Sequence, residues 1–578
     1  MSSKSSYEYY KDDFKKMSPI RAIATTLLYH RNPNFPREIL TPARAYELAS
    51  QQPSVTITDM PIYEEARKRY GLPENACILN EYTGKVVGRS AQARRFYDRA
   101  SETQKKELRE IFMDAVQKMM KKPLIQAEAV IGLDPGLMIK AYMITTKEDA
   151  NNVWNWYHNF TPYCLVKEQY EKSDPLPIQD ILFISDPAWS NPDYPKGLAL
   201  FDPYENVVVN LGMTYFGERK KGTLTLAWSS GMRMGQVACH AGIKEVDFTN
   251  CDDPKYHALG KRSISFFGLS GSGKSSHTNS HDHMGTLPAG FQRRILHDDA
   301  YQIDIPNKTC RVWEPTLFDK TDSRDINHAD WKYCISSQNN AVLNIDGKVR
   351  ILGQDVRNNN GRAIFDRDLL GANSYVNRCS FPRALCWIMK DEILPPIVKF
   401  DNHYLAIAMG ATLMTKRTAA ENVSLEEMKK LVFEPFANPF RVYELYKDCE
   451  GFYKVLEAGA ECYCFNSGFF WAGENVEKVK IPLKLSLRLN TAILCDELQW
   501  EPWAYLPGAM IPTKESIEKI WPGYSESFDA SNIKDPEAYK QLFADRFQQR
   551  CTYLESSDLQ ERPELLATLI KCLSPNVK

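Results

Sequence analysis

One segment limits the folds open to this chain more than any other: Phe266-Phe267-Gly268-Leu269-Ser270-Gly271-Ser272-Gly273-Lys274-Ser275-Ser276. It reads G-x-x-x-x-G-K-S behind an apolar run, the pattern of a phosphate-binding P-loop. Such a loop turns successive backbone N–H groups inward onto phosphate oxygens, so Gly268, Ser270, Gly271, Ser272, Gly273, Lys274, Ser275 and Ser276 are the expected nucleotide-binding residues. Lys274 supplies a point charge for the β- and γ-phosphates, and the Ser275 hydroxyl can ligate Mg2+. Ser263 to Phe267 alternates polar and apolar residues, as a strand feeding that turn should. Arg294-Ile295-Leu296-His297-Asp298-Asp299 reads as a second short strand ending in two carboxylates, where a P-loop site keeps the acid that holds its metal. The expectation is an α/β (mixed α+β) protein that performs phosphoryl transfer.

The remaining composition is that of a globular protein. At 578 residues the chain exceeds one ordinary core, which predicts two domains or one large domain with insertions. Lys plus Arg number 72 against 73 Asp plus Glu, a balance with no global field to hold nucleic acid or an anionic membrane. No apolar run approaches ~18 residues and the first residues lack a signal-like apolar core, so a cytoplasmic protein with no membrane partner is expected. The 14 cysteines include no C-x-x-C pair and read as reduced thiols, several of them buried. Nothing in the sequence specifies an oligomeric state.

Local signals place several elements. Ser101-Glu102-Thr103-Gln104 is a capping box, and Leu108, Ile111, Phe112, Ala115, Val116 and Met119 continue it as an amphipathic helix to about Lys121. Asp535-Pro536 opens a C-terminal helix with Tyr539, Leu542, Phe543 and Phe547 on one face. Asn206 to Asn210 and Arg383 to Met389 read as strands, and a domain boundary falls within Lys244 to Arg262. Two domains are therefore expected, 1–250 and 251–578. His277, His281 and His283 lie close enough in sequence to suggest zinc, but they follow the P-loop lysine, where a helix or surface insertion is the simpler reading.

Four segments then occur in order: Tyr215-Phe216-Gly217-Glu218-Arg219-Lys220-Lys221-Gly222, Ala238-Cys239-His240-Ala241, the P-loop, and Asp298-Asp299. This series resembles the ATP-dependent phosphoenolpyruvate carboxykinases. Thr83-Gly84-Lys85-Val86-Val87-Gly88-Arg89-Ser90 is similar to the substrate loop of that family and Asn360-Gly361-Arg362-Ala363 to its N-T-R segment; Glu314-Pro315 and Phe465-Asn466-Ser467-Gly468 fall at further landmarks. The resemblance covers roughly residues 80–522.

It implies a two-domain fold, an N-terminal substrate-binding domain with an N-terminal extension and a C-terminal nucleotide-binding domain with the site in the cleft. The implied reaction converts oxaloacetate and ATP to phosphoenolpyruvate, CO2 and ADP, a step of gluconeogenesis or anaplerosis, with Mn2+ and Mg2+ as cofactors. On that reading Lys221, His240 and Asp299 would hold one metal, with Ser275 and Asp298 serving the magnesium of the nucleotide. Arg89 would clamp the substrate carboxylate, Tyr215 would sit beside it, and Arg362 would neutralise charge on the moving phosphoryl group, with Lys221 and Lys274 completing the catalytic set. Glu314 and Arg362 are implied at the nucleotide.

The chain also departs from the family pattern. The lid and adenine segment appears as Asn466 to Asn475, where the expected adenine-stacking arginine has no clear counterpart; Lys480 is the nearest candidate. His297 replaces a glycine before the acid pair. A kinase of another acceptor on this scaffold and a catalytically weak nucleotide-sensing protein therefore stay open as alternatives.

Overall fold

In a computed structural model, the residues described are 17–574 apart from 270, 281–286, 370–373, 417–422, 471–478, 530–532 and 534. Among the expected site residues, Ser270 lies outside them, as do His281, His283 and most of the altered lid segment. The chain forms two compact units. Among the described residues the first gathers 17–234, 313–369 and 423–424, and the second gathers 235–312, 374–416 and 425–574.

The first unit is built on a mixed sheet in the order Arg37–Ile39, Leu124–Asp134, Leu137–Thr146, Ile181–Asp186, Val207–Leu211, Leu198–Asp202, Arg94–Phe96. Its central strands are apolar at nearly every position because both faces are covered. Leu182, Ile184, Val207 and Val209 meet Ile20, Ile23 and Leu27 of the helix Pro19–Tyr29, and Phe112, Ala115 and Val116 of the helix Glu102–Met119. Phe183 and Val208 point the other way, to the helix Phe216–Arg233. A Cβ on Gly222 of that helix would stand 3.0 Å from Phe183 and 3.3 Å from Val208, so glycine permits the close approach. The capping box forms as expected, with Ser101 accepting from the Gln104 amide and Gln104 reaching back to Ser101. A second sheet runs Thr316–Lys320, Arg362–Asp366, Cys334–Gln338, Cys77–Glu81, Val55–Pro61.

The first unit also holds a carboxyl with a displaced titration. Glu81 is buried and Asp149 is near, which together push its pKa up to about 7 against the pull of hydrogen bonds from Gln338 and Asn151 and of the Arg219 charge. A carboxyl raised by folding stabilises the fold below its unfolded pKa and loses that contribution as pH rises through the folded value. Unit 1 should therefore lose on the order of 3 kcal/mol between about pH 4.5 and 7 from this group alone. Chemical denaturation at intervals across that range checks it, and Glu81→Gln should flatten the dependence.

The second unit centres on a nine-stranded sheet in the order Ser374–Tyr375, Gln292–His297, Ala241–Asp247, Lys261–Phe267, Pro382–Met389, Glu461–Asn466, Ile397–Phe400, Ala509–Pro512, Trp500–Pro502. Lys261–Phe267, Pro382–Met389 and Glu461–Asn466 run parallel. Gln292–His297 and Lys261–Phe267 each pair antiparallel with Ala241–Asp247, so those two strands end on the same side of the sheet. The C-terminal helix begins at Pro536 behind the Asp535 cap and buries Tyr539, Phe543 and Phe547. No helix among the described residues is long and apolar enough to cross a membrane.

Candidate active site

Strand register in the second unit brings the chemistry together. Ala241 pairs with Phe267, and Ile243 with His297. His240, one residue before its strand, therefore stands beside both the loop that follows Phe267 and the acid pair that follows His297. In that loop Gly271 and Gly273 take φ values of 83° and 102°, left-handed backbone in which a Cβ is strained. A Cβ on Gly268 would fall 2.2 Å from the Ser272 hydroxyl. The helix Lys274–Asn279 opens at Gly273 and rests on Ala241–Asp247 where Gly242 leaves room for Thr278.

Lys274 Nζ lies 3.0 Å from Asp299 Oδ1, and the Ser275 hydroxyl donates to Asp298 Oδ2 at 3.2 Å. His240 Nε2 is 3.1 Å from the same Asp299 oxygen. His240 and Asp299 are the potential metal donors at this point, and among the described residues no three His, Cys, Asp or Glu side chains gather as a metal site. His297, buried, uses Nδ1 as an acceptor for the Asp299 and Ala300 amides at 3.0 and 3.2 Å. It thus fixes the turn that aims the acid pair. His277 does not belong to this cluster: it is buried within the helix, bonded to Asn490, and burial lowers its pKa to about 4. Lys480 is exposed in a two-residue strand paired with Phe469–Phe470.

In the first unit the expected groups gather about Phe318, a residue the motifs did not single out. Its ring centroid is 6.4 Å from that of Tyr215, 5.7 Å from Lys220 Nζ and 5.7 Å from the Arg362 guanidinium carbon. Tyr215 caps the helix Phe216–Arg233, and its ring covers Gly217 so closely that a Cβ there would stand 2.2 Å away. Gln338 accepts from the Phe216 amide at 3.0 Å, which anchors the start of that helix. Lys220 is buried and paired with buried Glu314 at 3.1 Å, and Asn159 also bonds that carboxylate. Lys221, half-buried on the same helix, places Nζ 5.5 Å from the Trp228 ring centroid. Arg362 donates to Asn360 at 3.1 Å.

A family model described as phosphoenolpyruvate carboxykinase matches residues 59–520, most of the chain. The chain belongs to the ATP-dependent phosphoenolpyruvate carboxykinase family. A protein of Aeropyrum pernix named phosphoenolpyruvate carboxykinase (ATP) is 24% identical to it over 319 residues, 54% of this chain and 60% of that protein. The chain thus spans about three-fifths of the length of that curated relative.

Within this carboxykinase family framework, the loop carrying Arg89 is tied to the segment carrying Arg362. Asn360 donates to the Val87 carbonyl at 2.9 Å, Asn339 to the same oxygen at 3.0 Å, and Asn358 to Lys85 at 3.0 Å. The asparagine runs Asn339-Asn340 and Asn358-Asn359-Asn360 were the available signal for this lacing, since short amides serve loop backbone well. Arg89 is buried. Burial raises the pKa of nearby Glu218, while the charges of Arg89, Arg94 and Arg219 oppose that rise. Arg219 is itself locked by Asp149 at 2.9 Å, Ser185 and Met213, so the turn entering the Tyr215 helix is rigid.

Proposed function

We propose that this chain converts oxaloacetate and ATP to phosphoenolpyruvate, CO2 and ADP. The observation that carries the reading is the meeting of Lys274, Ser275, His240, Asp298 and Asp299 at one end of the second unit's sheet. A phosphate-binding loop alone serves many acceptors. An imidazole and a second carboxylate beside it suit a reaction that must also stabilise an enolate oxygen.

The chemistry divides by residue. Arg89 holds the oxaloacetate carboxylate through a planar fork that lysine cannot reproduce. Loss of CO2 breaks the C–C bond and leaves its electron pair in the enolate, whose oxygen then bonds the γ-phosphorus as the bond to the bridging oxygen of ADP breaks. The loop amides and Lys274 orient the phosphates, and Arg362 offsets charge on the transferring group. His240 and Asp299 would hold one divalent cation, Mn2+ or Mg2+, with Ser275 and Asp298 serving a second; Lys221 is a donor by the resemblance alone. Cations so held would supply charge neutralisation for the enolate and the transferring phosphoryl group. A site closed to water protects the enolate from protonation and ATP from hydrolysis. Lys480, just beyond the altered adenine segment, is the candidate cation for the nucleotide base. The resemblance also suggests a cytoplasmic enzyme.

Arg89→Lys should raise KM for oxaloacetate by about 30-fold, ~2 kcal/mol, while KM for ATP stays near wild type. Steady-state kinetics with each substrate varied checks this, and equal losses for both substrates would contradict the assignment. His297→Leu, which removes the acceptor for the Asp299 and Ala300 amides, should raise the Mn2+ concentration for half-activation by about tenfold, whereas His297→Asn retains an acceptor and most of the affinity. Equivalent behaviour of the two variants would show that the acceptor does not matter.

A further inference from the structure

His240 is held by a turn with a costly backbone. Phe436 adopts φ 50° and ψ 28°, and Ala437 follows with φ 54°. Two successive left-handed residues that carry a Cβ persist only where their surroundings impose them, and such strain collects at functional sites. Here the surroundings are explicit. The Ala437 amide donates to the Glu434 carbonyl and the Asn438 amide to Pro435, each at 3.0 Å, while the Glu434 amide is tied to Leu413 at 2.8 Å. The Phe436 ring stacks on Phe452 at 4.6 Å and meets Trp387 edge-on at 5.6 Å. Gly410 clears the space: a Cβ there would stand 2.7 Å from Phe436 and 3.0 Å from Trp387.

The product of this strain is one carbonyl. Ala437 O lies within hydrogen-bond distance of His240 Nδ1, at 2.5 Å, and the Phe440 ring meets the imidazole edge-on at 5.1 Å. A carbonyl can only accept, so Nδ1 must carry a proton, and Nε2 is left facing Asp299, 3.1 Å from its Oδ1. The same aromatic cluster reaches Phe267, the last residue of the strand entering the phosphate loop, 4.8 Å from Trp387 and 5.3 Å from Phe452.

We propose that the turn from Glu434 to Phe440 is the positioning element for His240, and that Phe436 is its key positioning residue: packed over Gly410, it forces the Ala437 carbonyl onto Nδ1 and presents Nε2 to Asp299. The consequence for metal affinity rests on the ligand role of His240 proposed above; the tautomer does not. The test is 15N NMR of the histidine rings in the metal-free protein, with His240→Gln for assignment, joined to Mn2+ binding by electron paramagnetic resonance. Wild-type His240 should carry a proton on Nδ1, bonded to the Ala437 carbonyl. Phe436→Ala should average the two tautomers and weaken Mn2+ binding by about tenfold or more, with ATP affinity changed by less than about twofold. Phe436→Leu, which keeps apolar bulk over Gly410, should fall between them and serves if the alanine variant fails to fold. A wild-type His240 without a proton on Nδ1 would overturn the proposal, as would a folded Phe436→Ala protein with unchanged Nδ1 protonation and Mn2+ affinity. A wild-type protein with the fixed Nδ1–H tautomer that bound no Mn2+ would refute the proposed function while supporting the positioning role.

Discussion

Replacing Lys274 with alanine should lower kcat/KM for ATP on the order of 10³-fold, ~4 kcal/mol of transition-state stabilisation. The side chain starts a helix whose preceding glycine is left-handed, and its ammonium is 3.0 Å from Asp299. On the proposed function it would meet the phosphates as well as neutralise the carboxylate beside His240. Most of the loss should appear in kcat, because charge on the phosphoryl group and on the leaving ADP grows toward the transition state. Lys274→Arg should remain severely impaired, since a planar fork cannot replace a compact ammonium among backbone amides. Stability should change little in both variants. Steady-state kinetics beside thermal unfolding separates the effects, and a variant within tenfold of wild type would remove the loop from the chemistry.

Glu314→Leu should destabilise the first unit by about 3–5 kcal/mol, the cost of leaving a buried charge without its partner. Lys220 and Glu314 have side-chain exposures of 1% and 0%, so water cannot substitute for the lost carboxylate. Asn159 loses its acceptor as well. Adding Lys220→Met should restore most of the loss, because two apolar groups of similar volume replace an ion pair that gains little net energy from burial. Urea unfolding of the single and double variants measures both quantities. A double variant no more stable than Glu314→Leu alone would mean that packing around Glu314, not charge, is responsible.

Those two sites differ in how far the sequence exposes them. The phosphate loop was legible because its strand, glycines, lysine and helix lie within about twenty residues of chain and each has a local signature. The acid pair at the end of Gln292–His297, the Ser101 capping box and the Asp535-Pro536 helix start are local in the same sense. The long helix expected to reach Lys121 ends at Met119, the usual uncertainty where a last turn frays.

Tertiary partners were not legible. Lys220-Lys221 reads in isolation as a solvated basic face, yet the helix carrying it is buried along most of its length and Lys220 finds Glu314 at a distance of 94 residues in sequence. Phe318 looks like any core aromatic until the fold sets Tyr215, Lys220 and Arg362 about it. His297 registers as a departure from the family pattern, but its use depends on which ring nitrogen faces the Asp299 amide. Phe436 and Ala437 carry no glycine or asparagine to announce left-handed backbone, so their strain is visible only in three dimensions.

The central claim is most directly tested by following oxaloacetate with ATP, GTP or pyrophosphate in the presence of Mn2+ and Mg2+, and quantifying phosphoenolpyruvate, CO2 and nucleotide product together. With ATP as donor, phosphoenolpyruvate and ADP should form in equal amounts, matched by CO2 above the non-enzymatic background, and Lys274→Ala should yield neither phosphoenolpyruvate nor ADP on the same timescale. ATP binding without phosphoenolpyruvate from any donor would contradict it and point to a different phosphoryl acceptor on this scaffold.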